Sequence, residues 1–383
     1  MRRNSLSLGI AFALIAGLPA LADVPYFVGL GDFAGGDHDS WAYGVSGDGT
    51  TVVGFGQHGT TAHGNEGFRW KMADGIVGLG VLPGDRFSDA RAISSDATVI
   101  VGSSSPDSGP PEAYRWTALS GLVGLGSLPG STLGSQGYGI SDNGSVIVGR
   151  GQTSSGYQAF RWTDGGGMVG LGLLNSTDRD SVAYDASQDG SVVVGVSENS
   201  VFVDEAWRWT QSDGMVGLGN LEGGEFSSQA LSVSADGSVV VGWSNTAAGR
   251  EAFRWTETTG MVSLGDLPGG MVDSEAQAVS ADGSIIVGFG QSTGNRREPF
   301  IWDAQNGMRS LQRIFVDGLG LDLLYWDLTR THAAYGISAD GMTIVGNGFN
   351  QWGENEAWVA HIPEPAVGSL LLVALPLLRR SRR

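Results

Sequence analysis

The chain has 383 residues with 63 Gly, 12 Pro and no Cys, and its 22 basic against 40 acidic groups give a net charge of −18. Without Cys there is no disulfide framework, thiolate metal site or Cys nucleophile, and the acidic balance excludes a general affinity for nucleic acid or anionic membrane. Hydrophobic residues, at 41%, suffice for a core, and Pro is too scarce for collagen or a Pro-rich linker.

The N-terminus reads Arg2-Arg3, then an apolar run from Leu6 to Ala22, then Asp23. A basic start, a short apolar stretch and the small residues Ala20 and Ala22 predict a Sec-type secretory signal peptide over 1–22, cleaved after Ala22. A membrane anchor is the alternative, and the run is short for one.

The body, 23–360, is one unit repeated. The aromatic of Gly67-Phe68-Arg69-Trp70 recurs at Tyr114, Phe160, Trp207, Phe253, Phe300 and Trp358, in steps of 46, 46, 47, 46, 47 and 58 residues. Asp48-Gly49 has equivalents at Asp96, Asn143, Asp189, Asp236, Asp282 and Asp340. A Val-Gly-Leu-Gly element begins at Val28, Val77, Val123, Val169, Val216 and Val262, and has decayed to Arg309-Ser310-Leu311-Gln312 in the last unit. Three anchors in constant order make seven copies.

Each unit holds four strand candidates, typified by Met215–Gly219, Ala230–Ser234, Ser238–Gly242 and Glu251–Trp255. Between the second and third, Asp236-Gly237 is a strong hairpin signal, because Gly accepts positive φ and Asp tolerates it. The third is almost wholly Val, so both its faces should be buried. In the fourth, period-two alternation sets Glu251, Phe253 and Trp255 on one face and Ala252 and Arg254 on the other. Four short strands in about 46 residues predict an all-β, seven-bladed β-propeller. The expectation is a Gly-rich first strand at the crowded centre and an aromatic fourth strand towards the rim. An open β-solenoid is the alternative, but it would need polar capping repeats.

The unit Ser234-Ala235-Asp236-Gly237-Ser238-Val239-Val240-Val241-Gly242, with Glu251–Trp255 and Gly260–Gly265, resembles the bacterial HAF family of extracellular repeats, over about 27–360. The last unit resembles that family's usual final unit, with an insertion around Tyr325–Thr329 and the closing Glu356-Ala357-Trp358-Val359-Ala360. Ala97 for Gly, and Ile301 and Val359 for Arg, are its departures. The resemblance implies an extracellular location and a repeat architecture. It supplies no catalytic residue.

The tail, 361–383, contains Pro363-Glu364-Pro365, a 13-residue apolar run from Ala366 to Leu378, and Arg379, Arg380, Arg382 and Arg383. The apolar run is shorter than the ~20 residues that comfortably span a bilayer, and the basic cluster would hold the end on the cytoplasmic side. Motif, short transmembrane segment and basic end together resemble the bacterial PEP-CTERM sorting signal. That resemblance implies an exosortase as partner, with Pro363, Glu364 and Pro365 as the recognition element, and a cell-surface or matrix location. Without leader and tail the net charge is −23.

Several motifs invite chemistry. Gly290-Gln291-Ser292-Thr293-Gly294 matches G-x-S-x-G, but a strand rather than a helix is predicted after it. Gly54-Phe55-Gly56-Gln57-His58-Gly59 matches G-x-G-x-x-G and likewise lacks its helix. His58 and His63 share a loop without the helix that zinc ligands use. Calcium is the one cation worth weighing. Dense D-x-D-x-D-G loops are missing, but Glu66, Glu112, Glu205, Glu251, Glu298 and Glu356, with Gln158, take one position in every unit. The favoured reading is structural, with each carboxylate accepting backbone N–H groups or pairing with the Arg of its strand.

No catalytic, cofactor or metal residue is assigned, and no enzymatic activity is expected. The expected function is structural or adhesive, with an extracellular polysaccharide or surface protein as partner. The insertion 312–331 breaks the repeat and makes Tyr325, Trp326 and Asp327 a candidate ligand surface, with a plug at the ring seam as the plain alternative. The rival class is a polysaccharide hydrolase or lyase, for which Asp32 and Asp266, after the Gly-rich strand, are the candidate carboxylates.

Overall fold

The computed structural model describes residues 24–36, 39–58, 64–294, 296–323, 326–329 and 333–363. The leader with Ala20 and Ala22, and Glu364, Pro365 and Tyr325, lie outside them. Pro363 is the last described residue.

Strand β1 (Tyr26–Gly29) precedes the first complete blade, β2 (Ser40–Val45), β3 (Val52–Gln57), β4 (Asn65–Lys71) and β5 (Gly75–Gly80). Five more four-stranded antiparallel blades follow, the fifth and sixth joined by one parallel bridge between Arg250 and Asp273. The last blade is composite. Its three C-terminal strands are completed by β1, with Tyr26 opposite His361 and Val28 opposite Val359. The chain is a seven-bladed β-propeller, and this pairing of its two ends excludes the open solenoid.

Ring closure is repeated at the backbone. At one face, Gly47 N–H donates to Ser95 O, Ser95 to Asp142, Asn143 to Gln188, Gln188 to Ala235, Ala235 to Ala281, Ala281 to Ala339, and Ala339 back to Gly47, at 2.9–3.2 Å. Seven turns thus form a closed circle of hydrogen bonds. Each turn is also braced internally. In blade five the Ser234 hydroxyl donates to Asp236 Oδ1 at 2.7 Å and accepts Val239 N–H at 3.0 Å. Gly237 supplies the positive φ (+72°) that closes the hairpin. Hydrogen bonds from Ser238 N–H and the Ser234 hydroxyl hold the Asp236 carboxyl below its ordinary range.

The blades face one another through two apolar surfaces, as the third-strand pattern predicts. Val239, Val241 and Ala252 of blade five meet Ala276, Ile286 and Phe300 of blade six. The other face of blade five turns Val240 and Phe253 to Val192, Val194 and Ala206 of blade four. The repeated aromatics Phe68, Tyr114, Phe160, Trp207, Phe253, Phe300 and Trp358 are completely buried. Each contributes about 2–3 kcal/mol of apolar burial, so their repetition serves packing.

The radial order differs from expectation. The Gly-rich strand is the outermost of each blade, and the Ala-Leu-Ser-Val-Ser type strand lines the centre. The glycines have a local cause. The Glu66 carboxylate folds over β5 and accepts Gly80 N–H at 2.9 Å, and a Cβ at Gly78 would overlap that carboxylate. Glu112 with Gly126 and Glu356 with Gly31 repeat the bond at 2.9 and 3.0 Å. Glu66, Glu112 and Glu356 thus take backbone N–H groups, whereas Glu251 takes the Ser263 hydroxyl and Glu298 the hydroxyls of Ser292 and Ser310. The Arg of the same strand goes elsewhere: Arg161 Nε donates to Gly190 O at 3.3 Å, and Arg69 lies over the Trp116 ring.

Two further expectations need correction. Asp32 and Asp266 follow the outer strand and do not line the channel. Asp32 accepts Phe33 N–H at 2.8 Å and Asp39 N–H at 2.6 Å, and Asp266 accepts Leu267 and Asp273 N–H at 2.7 and 2.8 Å. They shape loops and do not reach the channel. The body also extends past 360, because the last strand runs to His361 and Ile362 is buried with its N–H on Met342 O.

Candidate functional site

Seven inner strands, Ser40–Val45, Phe87–Ile93, Ser135–Ile140, Asp178–Ala186, Gly223–Val233, Gly269–Val279 and Ala334–Ile337, surround a channel enclosing about 200 Å³. Along each strand small residues face the neighbouring blade, and between them one variable residue turns inward. These residues are Tyr43, Arg91, Tyr138, Tyr184, Leu231, Gln277 and Tyr335. Four tyrosines, one guanidinium and one amide thus share one ring. Tyr43 and Tyr335 meet edge-on at 5.4 Å between centroids, Tyr138 and Tyr184 are tilted to one another at 5.8 Å, and Arg91 sits 4.5 Å above the Tyr43 ring. Burial raises all four phenols, Tyr184 to about 12. They are neutral hydrogen-bonding groups at neutral pH.

At the upper mouth, where the inner strands begin, aromatic rings alternate with paired charges. Trp41 and Phe55 lie nearly parallel at 6.2 Å, beside Tyr43 and Tyr335. Arg91 donates to Asp89 Oδ2 at 2.7 Å, while Ser103 N–H occupies Asp89 Oδ1 at 2.9 Å. Arg250 binds Glu275 at 2.7 Å and lies over Trp243. Arg297 binds Asp273 at 2.9 Å and lies over Phe289. Arg150 covers Tyr157 at 4.2 Å and donates to Gln136 Oε1 at 2.9 Å. Each guanidinium is sandwiched between a ring and an acceptor, which stiffens a side chain that is otherwise entropically free.

Deeper in the channel, half-buried Asp185 lines the cavity. It accepts Ala186 N–H, the Ser232 hydroxyl and Val233 N–H at 2.8, 2.8 and 3.0 Å. Burial nevertheless pushes its carboxyl up to about 7, and burial also raises Asp142 nearby.

The motifs singled out in the sequence sit apart from this site. Ser292 of the G-x-S-x-G match donates to Glu298, and the strand Arg296–Asp303 comes next, not a helix. Gly54–Gln57 of the G-x-G-x-x-G match lie in β3. His58 packs on Phe33 and lies 3.8 Å from Glu66, and His63 is outside the described residues. In the insertion, Leu311–Arg313 is a single helical turn that continues as a π-helical turn, Ile314–Gly318. Phe315 and Trp326 pack on Phe27 of β1, and Phe315 also on Trp358. Asp327 pairs with Phe349 through the backbone and caps Thr329. Of the expected ligand surface, Trp326 and Asp327 thus brace the seam blade.

The variable inner-strand residue was legible in principle. It interrupts the repeat at its most regular place, as Tyr43 does between Ala42 and Gly44. The rule that recognition sits where a repeat breaks applies here as well as to the insertion.

No family model matches the sequence, and no curated protein matches it. Among solved structures it is similar to oligogalacturonate lyase from Vibrio parahaemolyticus, at 13% identity over 90% of this chain and 98% of that chain, with a TM-score of 0.58. It is also similar to a prolyl endopeptidase, at 10% identity over 86% of this chain and 51% of that one, with a TM-score of 0.55. A chain of the mitotic checkpoint complex matches at 13% identity over 91% and 98%, with a TM-score of 0.50. These likenesses carry the propeller fold and nothing of the chemistry.

Proposed function

We propose that this is an exported, non-catalytic propeller that binds an extracellular partner at the upper mouth of its channel, with polysaccharide as the favoured ligand. The observation that carries this reading is the mouth itself. There the repeat gives way to Trp41, Tyr43, Phe55 and Tyr335, flanked by guanidinium–carboxylate pairs that are already neutralised within the protein. Half-buried aromatic rings beside fixed polar groups suit recognition.

The leader with Ala20 and Ala22, the Pro363-Glu364-Pro365 motif and the HAF-like units support Sec export, processing by an exosortase and retention at the cell surface or in the matrix. Changing Pro363, Glu364 and Pro365 to Ala should leave the protein unprocessed in the membrane fraction.

Binding is tested by screening the secreted protein against extracellular polysaccharides, with and without calcium, while following product release. Saturable binding without product, lost in Tyr335→Ala, is expected. Product formation would instead make the protein a polysaccharide hydrolase or lyase.

A further inference from the structure

We propose that a side pocket of the upper mouth, between blades one and two, holds one neutral pyranose residue of the ligand. This rests on the polysaccharide-binding reading above and names the sugar class and its seat. The pocket encloses about 280 Å³, small for a ligand site and suited to a single ring. Two aromatics line it. Phe55 belongs to the Trp41–Tyr43 stack, and Phe87 carries Arg86 over its ring at 5.4 Å. Both offer apolar surface to the C–H face of a sugar.

The polar groups decide the charge of the occupant. Asp89 is paired, with Arg91 on one oxygen and Ser103 N–H on the other, so it brings no unbalanced negative charge. Arg91 is neutralised by the same contact. Gln136 uses its carbonyl oxygen for Arg150 Nε at 2.9 Å and for the Tyr138 hydroxyl at 3.2 Å, which directs its NH₂ group away from them as a donor. The Asn65 amide and the Ser105 hydroxyl line the same cavity. The set is uncharged as a whole, and it both donates and accepts. Sugar hydroxyls do the same, whereas a uronate would bring a charge that no unpaired cation among the described lining residues receives, into a protein already at −18. Arg91 lines both pocket and channel, so the remainder of a chain can run from the pocket over the mouth.

The test is titration of the full-length protein with cellotetraose and maltotetraose as neutral probes and a tetragalacturonate as the acidic one. A neutral probe should bind saturably, at least tenfold more tightly than the uronate. Phe87→Ala and Gln136→Ala should each weaken it tenfold or more, while Leu119→Ala on the opposite face leaves it unchanged, all with cooperative unfolding retained. Preference for the uronate overturns the inference. So does glycan binding that is lost in Tyr335→Ala but untouched in Phe87→Ala and Gln136→Ala, although the mouth then stands as the binding face. Failure of every glycan in every arm overturns both.

Discussion

Ser228 bolts one blade to the next through Ala206. Its hydroxyl accepts Ala206 N–H from blade four at 3.0 Å and donates to Gly219 O of that blade's outer strand at 2.7 Å. Ser40, Ser88, Ser135, Ser181 and Ser274 make the same pair of bonds, and all six serines are buried. At the junction of blades six and seven the donor position is Pro299, which has no N–H to satisfy.

Replacing Ser228 by Ala strands the buried Ala206 N–H and removes the hydroxyl partner of the part-buried Gly219 carbonyl. The expected loss is about 1–3 kcal/mol, read as a lower denaturation midpoint at unchanged m-value. A loss below about 0.5 kcal/mol would mean that the blades close without the bolt.

Asp185 makes stability depend on pH in the direction opposite to an ion-paired acid. Its carboxyl rises from the ordinary 3.8 to about 7 on folding, because burial outweighs three hydrogen bonds. The folded state therefore holds the proton between those values while the unfolded state has lost it, and stability falls as pH rises through that window. The contribution is on the order of 4 kcal/mol. Asp185→Asn keeps an acceptor for Ser232 and Val233 without a titrating proton. The wild type's unfolding free energy minus the variant's should fall steadily from pH 4 to pH 7 and level off above. A difference that stays flat over this range would contradict a protonated Asp185 in the folded state.

Ala97 occupies the hairpin position that Gly49, Gly144, Gly190, Gly237, Gly283 and Gly341 hold in the other units, and it adopts φ +60° there. An L-residue in this region costs about 1–2 kcal/mol. Ala97→Gly should therefore stabilise, by about 0.5–1 kcal/mol once the greater freedom of an unfolded Gly is subtracted. Thermal unfolding checks this, and a lowered midpoint would show that the Ala97 methyl contact with its core cluster is worth more than the strain.

The repeat, the strand count, the hairpin turns and the burial of the aromatic series follow from sequence alone. Period-two alternation and Asp-Gly turns act between neighbours, so spacing such as Phe253 to Phe300 reports them directly. The radial order of the strands does not follow. A glycine-rich segment fits a crowded centre and an edge folded over by Glu66 equally well, and only the pairing of β1 with Asn355–His361 fixes which strand closes the ring. The mouth is decided in the same way. Trp41, Asp89, Gln136 and Glu275 are far apart along the chain. They converge because the closed ring of seven turns brings equivalent positions to one axis, a long-range constraint that no single unit carries.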